Sequence, residues 1–328
     1  MKIWQMIRSH LLWLLSAGFL GVLFFASSTD LLITEQSSEV SRISVILDDV
    51  SDVNYENFRK GAEQAALELR ADVRFITLYE AGSEEGQREL VLREQEDGAE
   101  ALIVSAMRER EASEMIASQQ VHIPVIFLRG DVVIQNNYSA ANLNSDYYVM
   151  GRKLAETVTE HFPETVPVYY ISTGRLYGAS RRYLDGAESI LENTGYRRER
   201  SVRAVNETKL TKIRRLEEEE EEAVLIALDR TSLLHAMRYR EAKGEDGKIL
   251  GLYGPGTGIE VLSGLERGLV DGLCITDDYA EGYLAVSMAA ARIGHHNTPM
   301  QSRTLEGHYI EKEDLEKGTY ERILYPME

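Results

Sequence analysis

Ile43-Ser44-Val45-Ile46-Leu47, the polar run Asp48-Asp49-Val50-Ser51-Asp52-Val53-Asn54, and then Phe58, Ala62, Ala65, Ala66 and Leu69 at the spacing of one helix face form the stretch that decides the architecture. The first segment is a short apolar run of buried-strand type, the second a polar turn and the third an amphipathic helix. Together they make one βα unit. Open α/β sheets bind ligands at the carboxyl ends of their strands, so the turn from Asp48 to Tyr55 is the first place to look for a site.

Outward from this unit the alternation continues. Strands are expected at Val73–Tyr79, Ala101–Ser105 and Pro124–Leu128, with helices at Glu84–Glu96 and Glu109–Gln119. Asn142-Leu143-Asn144 reads as a short connecting strand, after which a second series begins. Its helices are Tyr147–Phe162, Ala179–Asn193, Leu210–Glu221, Ser232–Arg240, Gly258–Arg267 and Tyr279–Ile293. Its strands are Val168–Ile171, Ser201–Val205, Ala223–Leu228, Ile249–Tyr253 and Leu273–Ile275. Two parallel βα series of similar size in one chain imply two lobes.

The 328 residues, 44% of them hydrophobic, suffice for one or two ordinary cores. A formal charge of -18 argues against nucleic acid, whose phosphates require a basic footprint. Cys274 is the single cysteine, so there is neither an internal disulfide nor a cysteine-rich metal site, and its apolar neighbours mark it as a buried small hydrophobe. At the N-terminus Lys2, Arg8 and His10 precede an apolar run from Leu11 to Ala26, the order of a secretory signal. Ala26-Ser27-Ser28 suits cleavage, whereas Leu31-Leu32-Ile33 extends the run towards a membrane-spanning length, so residues 1–33 are a signal peptide or a retained anchor. No cysteine stands just after the run, where a lipoprotein would need one. Residues 34–41 read as a tether, and the main body is expected outside the cytoplasm, secreted or anchored.

Asn54-Tyr55 followed by Phe58-Arg59-Lys60-Gly61-Ala62, with Ala101-Leu102-Ile103-Val104-Ser105, Ile123-Pro124-Val125-Ile126, Ser145-Asp146 with Gly151, Asp185-Gly186-Ala187 and Thr276-Asp277-Asp278-Tyr279-Ala280-Glu281-Gly282-Tyr283, occur in an order that resembles the type I periplasmic binding proteins, the ribose-binding group in particular. The resemblance runs from about Arg42 to Tyr325. It implies an α/β fold of two Rossmann-like lobes with parallel sheets, joined by three crossovers near Asn144, Asp277 and Gly307, that close on a small ligand. The lobes would then be 42–144 with 277–306, and 145–276 with 307–328.

The same resemblance supplies candidate ligand contacts. Tyr55 falls where the sugar binders place a stacking aromatic, Asp52 where they often have Asn, and Arg181 where they place a ligand-contacting arginine. Ser105, Arg129, Tyr253 and Thr276 stand where Asn, Asp, Asp and Gln are usual; Leu228-Asp229 replaces an Asn-Asp pair, with Asp229 retained. Losing several paired hydroxyl-binding groups argues against an ordinary hexose or pentose, and Arg129 with Arg181 favours a carboxylate or phosphate, which guanidinium groups grip bidentately. A pocket that has lost its ligand would leave the lobes as an interaction module.

Other chemistries fit less well. The adjacent carboxylates Asp277-Asp278 do not converge on one bond. Gly254-Pro255-Gly256-Thr257-Gly258 lacks the ending of a P-loop and reads as a tight strand-to-helix loop. His295-His296 at a helix end and the run Glu217 to Glu222 lack metal-ligand spacing, so neither metal nor cofactor is expected. A LacI-type regulator would open on a basic helix-turn-helix, where this chain has an apolar segment. An enzyme on the same scaffold finds no convincing catalytic set. The expected function is therefore an extracytoplasmic solute-binding protein for a carbohydrate-type ligand or an anionic derivative, partnered with a transporter permease or a membrane sensor kinase. The alternative is a module with a degenerate pocket that regulates such a sensor.

Overall fold

The computed structural model describes residues 40–47, 55–77, 84–106, 108–135, 139–172, 178–202, 213, 216, 218–293 and 299–326. Residues 1–33, expected as a signal or anchor, most of the expected tether, Asp52 and the histidine pair lie outside the described residues.

The first series comprises β1 (Ser41–Leu47), α1 (Glu56–Leu69), β2 (Ala71–Thr77), α2 (Glu84–Glu96), β3 (Ala101–Ser105), α3 (Glu109–Ala117), β4 (Val125–Leu128) and β5 (Ala140–Ser145). The second comprises α4 (Tyr147–His161), β6 (Val168–Ser172), α5 (Gly178–Leu191), β7 (Arg198–Val202), β8 (Ala223–Ala227), α6 (Arg230–Lys243), β9 (Ile249–Pro255), α7 (Ile259–Glu266) and β10 (Gly272–Thr276). The chain then returns through α8 (Asp278–Arg292), β11 (Arg303–Leu305), β12 (Gly307–Ile310), α9 (Lys312–Glu316) and α10 (Glu321–Leu324). Among the described residues no helix is long and apolar enough to cross a membrane.

The strands form two sheets ordered β11-β5-β4-β3-β1-β2 and β12-β10-β9-β8-β6-β7. In each, the first strand of a series pairs in parallel with the second on one side and the third on the other, as in Val45↔Phe75 and Val45↔Ile103. This reversal of strand order opens a crevice at the carboxyl ends. β1 is covered on both faces, which is why it reads as an unbroken apolar run. Ile43, Val45 and Leu47 pack with Phe58, Ala62 and Ala65 of α1 and Ala285, Val286 and Ala289 of α8, whereas Ile46 packs with α2 and α3. In the second lobe Leu225 of β8 packs with α6 and α7, and Ile226 with α4 and α5.

The two helix pairs α1·α8 and α4·α5 meet by the same device. A Cβ on Gly61 would collide with the Tyr279 carbonyl oxygen, and one on Gly282 with that of Phe58. Likewise Gly151 faces the Tyr183 carbonyl and Gly186 that of Tyr148. Only glycine permits so close a backbone approach.

Three crossings join the sheets. The chain leaves the first after Ser145, returns after Thr276 and crosses again at Glu306, between β11 and β12. Those last two strands, unmarked by any apolar run, are three and four residues long. The crossings are hydrogen-bonded side by side: Leu305 pairs with Ser145, Gly307 with Thr276, and the Asp146 amide donates to the Leu305 carbonyl at 3.1 Å. β7 begins at Arg198, earlier than the apolar pattern indicates, because an edge strand need not be apolar.

Candidate functional site

The carboxyl ends of both sheets face one another, and two of the crossings and one strand end feed helices through aspartate caps. Asp146 accepts from the Val149 amide at 3.1 Å, Asp229 from Ser232 at 2.7 Å and Asp277 from Ala280 at 2.8 Å, starting α4, α6 and α8. These caps fix the first helical turns that border the cleft.

At the centre is Arg129, just past β4, in a left-handed backbone conformation with φ 57°. Its Nε and Nη2 donate to Glu281 Oε2 at 3.0 and 2.9 Å, and Nη2 donates to Asp278 Oδ1 at 3.2 Å. The guanidinium also lies over the Tyr55 ring, 4.6 Å from its centroid. Burial works against this charge, but Glu281, Tyr55 and Asp278 together hold it well above the ordinary range for arginine. Asp278 is held further by Thr276 Oγ1 and Thr257 Oγ1, which donate at 2.7 and 2.8 Å. Tyr147 borders the same cluster, and burial followed by the nearness of Glu281 pushes its phenol up. The Tyr55 hydroxyl approaches Ser105 Oγ at 3.4 Å.

The lobes meet directly beside this cluster. The Ala179 amide at the start of α5 donates to the Arg129 carbonyl at 2.8 Å, and Arg182 pairs with Asp131. Gly178, with φ +38°, allows the approach, since a Cβ there would strike the Arg129 carbonyl oxygen. Thr257 reaches Asp278 from the second lobe to the first.

On the other side of Asp278 lies a cavity of about 450 Å³. From the first lobe, Glu56, Asn57 and Lys60 on the opening turns of α1 line it, together with Asp278. From the second come Arg230 at the start of α6, Thr257 and Gly258 just before α7 and Ile259 opening it, with Leu324, Tyr325 and Pro326. Two carboxylates face two cations, and Lys60 pairs with Glu56 at 3.2 Å. Among the described residues no cluster of His, Cys, Asp or Glu suits a metal ion.

The residues expected at a site from sequence are thus distributed differently. Tyr55, Ser105, Arg129 and Thr276 come together, but as a mutually bonded cluster. Arg129 and Arg181, expected to grip an anion together, have separate partners: Arg129 pairs with two carboxylates, and Arg181, 60% exposed, pairs with Asp185 one helical turn away. Asp229 is committed to capping α6, its second oxygen accepting from Ser172 Oγ at 2.8 Å. Tyr253 is placed away from the cleft: β9 runs on to Pro255, and the pleat turns Tyr253 into the core with Cys274 and Tyr183. Burial, then Asp271 and Glu311, raises its phenol. The residues the sequence reading missed are Lys60, Arg230, Thr257 and Tyr325. Their one shared signal is that the first three sit at helix starts following strand ends.

Two Rossmann-like lobes with three crossings and a cavity walled from both sides define a class of two-lobed ligand-binding folds. The chain belongs to the periplasmic binding protein domain family, whose model matches residues 43–296. Among curated proteins none matches it significantly. Among solved structures it is similar to GanP, a glucose-galactose binding protein from Geobacillus stearothermophilus, at 19% identity over 85% of this chain and 99% of that one, with TM-score 0.72. A carbohydrate transporter solute binding protein from Agrobacterium radiobacter in complex with D-arabinose matches at 15% identity over 88% and 99%, with TM-score 0.74. The Caulobacter myo-inositol binding protein bound to myo-inositol matches at 17% over 84% and 95%, with TM-score 0.71. At such identities the likeness is one of fold.

Proposed function

We propose that the chain is an extracytoplasmic, non-catalytic solute-binding protein that closes on a neutral, hydroxyl-rich small molecule of carbohydrate type. The observation that carries this reading is the cavity walled by both lobes. Its volume falls in the range of small-molecule sites, and its charges balance, with apolar Ile259, Tyr325 and Pro326 on one side and polar Asn57 and Lys60 on another. Such a wall suits a ligand with one C–H face and a rim of hydroxyls, whereas the quenched Arg129 disfavours the anionic derivative. The names of the similar structures, which bind sugars and a cyclitol, support the same ligand class.

In this reading the lobes are 42–144 with 277–306 and 145–276 with 307–328. The ligand touches both and so favours the closed arrangement by its differential affinity. The apolar run after Lys2 and Arg8 supports export, with a permease or a membrane sensor as the receiver of the closed form. A thermal-shift screen of the full chain against D-arabinose, D-galactose, myo-inositol, sugar phosphates and small carboxylic acids tests the proposal. A neutral polyol at 100 times its Kd stabilises the fold by about 2.7 kcal/mol. A larger shift from a phosphate or carboxylate contradicts the ligand class. Silence from all of them favours the second reading, an interaction module, which the direct contact of Ala179 with Arg129 also supports.

A further inference from the structure

We infer that the ligand is seated against Tyr325, and that residues 321–326 of the second lobe therefore belong to the binding site. The inference rests on the solute-binding reading above and adds to it the residue that recognises the ligand's apolar face. Tyr55, the aromatic that the sequence pattern offers for this task, is 2% exposed. One face of its ring is covered by the Arg129 guanidinium, and Phe58 meets it edge-on with centroids 5.9 Å apart. No open face remains for a ligand to stack on.

The cavity beyond Asp278 has the opposite character. Tyr325 and Ile259 both line it, yet 58% and 77% of their surfaces are exposed to solvent. Large apolar side chains left bare on a cavity wall gain most from a ligand that covers them. The segment that presents Tyr325 is itself anchored. Leu324 is buried in the second core beside Tyr320 and Ile323, and the Tyr325 amide donates to the Glu321 carbonyl at 2.8 Å. Across the cavity the first lobe offers Asn57 and Lys60 as hydrogen-bond partners. A neutral cyclic polyol satisfies both walls at once, its C–H face on Tyr325 and its hydroxyls towards α1. Such a ligand bridges the lobes through a contact that the strand-end positions do not supply.

The test measures, by titration calorimetry on the full chain, the affinity of whichever of D-arabinose, D-galactose and myo-inositol gives the wild type its largest thermal shift. Tyr325→Ala is expected to weaken that affinity about tenfold or more, Tyr325→Phe to retain it within about threefold, and both variants to melt within a few degrees of the wild type without ligand. Retention by phenylalanine separates a stacking face from a merely structural side chain. Wild-type affinity in Tyr325→Ala overturns the inference while leaving the solute-binding reading intact. Equal loss in Tyr325→Ala and Tyr325→Phe also overturns it, since the ring would then not be the recognition element. If none of the three probes binds the wild type, both the reading and the inference fall.

Discussion

Replacing Arg129 by methionine tests whether this residue is a pier of the fold or a hand for the ligand. Methionine keeps much of the side-chain volume and removes the charge. It leaves Glu281, 2% exposed, and Asp278 without the cation that donates three hydrogen bonds to them. Breaking a buried ion pair from one side costs about 3 to 5 kcal/mol, and the lost contact over the Tyr55 ring adds about 0.5 to 1 kcal/mol. The left-handed φ is common to both residues, so backbone strain cancels. The expected result is a urea-unfolding free energy lower by about 4 kcal/mol at neutral pH with an unchanged denaturant slope. The double variant Arg129→Met/Glu281→Gln should recover a substantial part of this, because the uncompensated charge is then gone. A loss below about 1 kcal/mol, or strict additivity of the two substitutions, refutes the account of Arg129 as a structural cation.

Other substitutions probe the lobe contact and the second core. Gly178→Ala places a Cβ against the Arg129 carbonyl and an L-residue at φ +38°, so the lobes should sit farther apart; a larger radius of gyration in solution scattering checks this. Arg182→Ala, by contrast, breaks a pair whose side chains are 53% and 41% exposed, and calorimetry should show a stability change under about 1 kcal/mol. Burial pushes the Cys274 thiol up to about 12. Between roughly pH 9 and 12 the unfolded chain has therefore lost a proton that the folded chain keeps, and stability falls as pH rises, by about 1.4 kcal/mol per pH unit from this group at most. Cys274→Ala should flatten that part of the pH–stability curve, and the native thiol should resist a thiol reagent at pH 8 until the protein unfolds.

The elements buried on both faces were the easiest to read from sequence. β1, β3, β8 and β10 are continuous apolar runs because a helix layer covers each side, and the helices between them keep one apolar stripe. Short or peripheral strands are harder to read: β11, with Arg303 and Thr304 exposed, carries no apolar run, and β7 is expected three residues late because it opens on Arg198-Glu199. In the site, the pairing of Arg181 with Asp185 follows from a four-residue spacing, but that of Arg129 with Asp278 and Glu281 joins residues about 150 positions apart. Nothing local to Arg129 announces its partners. Tyr253 misled for a different reason, since two further residues of strand shifted the position from the cleft to the core. The cavity draws on five chain segments, the last of them near Tyr325, and no pattern within one segment reveals it.

The lateral hydrogen bonds among the three crossings constrain how the protein can move. Ser145, Leu305, Gly307 and Thr276 are stitched into neighbouring ladders, so no crossing can twist without carrying the others. The joint is a three-ply ribbon. With the glycine-locked helix pairs closing each lobe's backbone-to-backbone contacts, the crossings are where a change in the angle between the lobes would have to be absorbed.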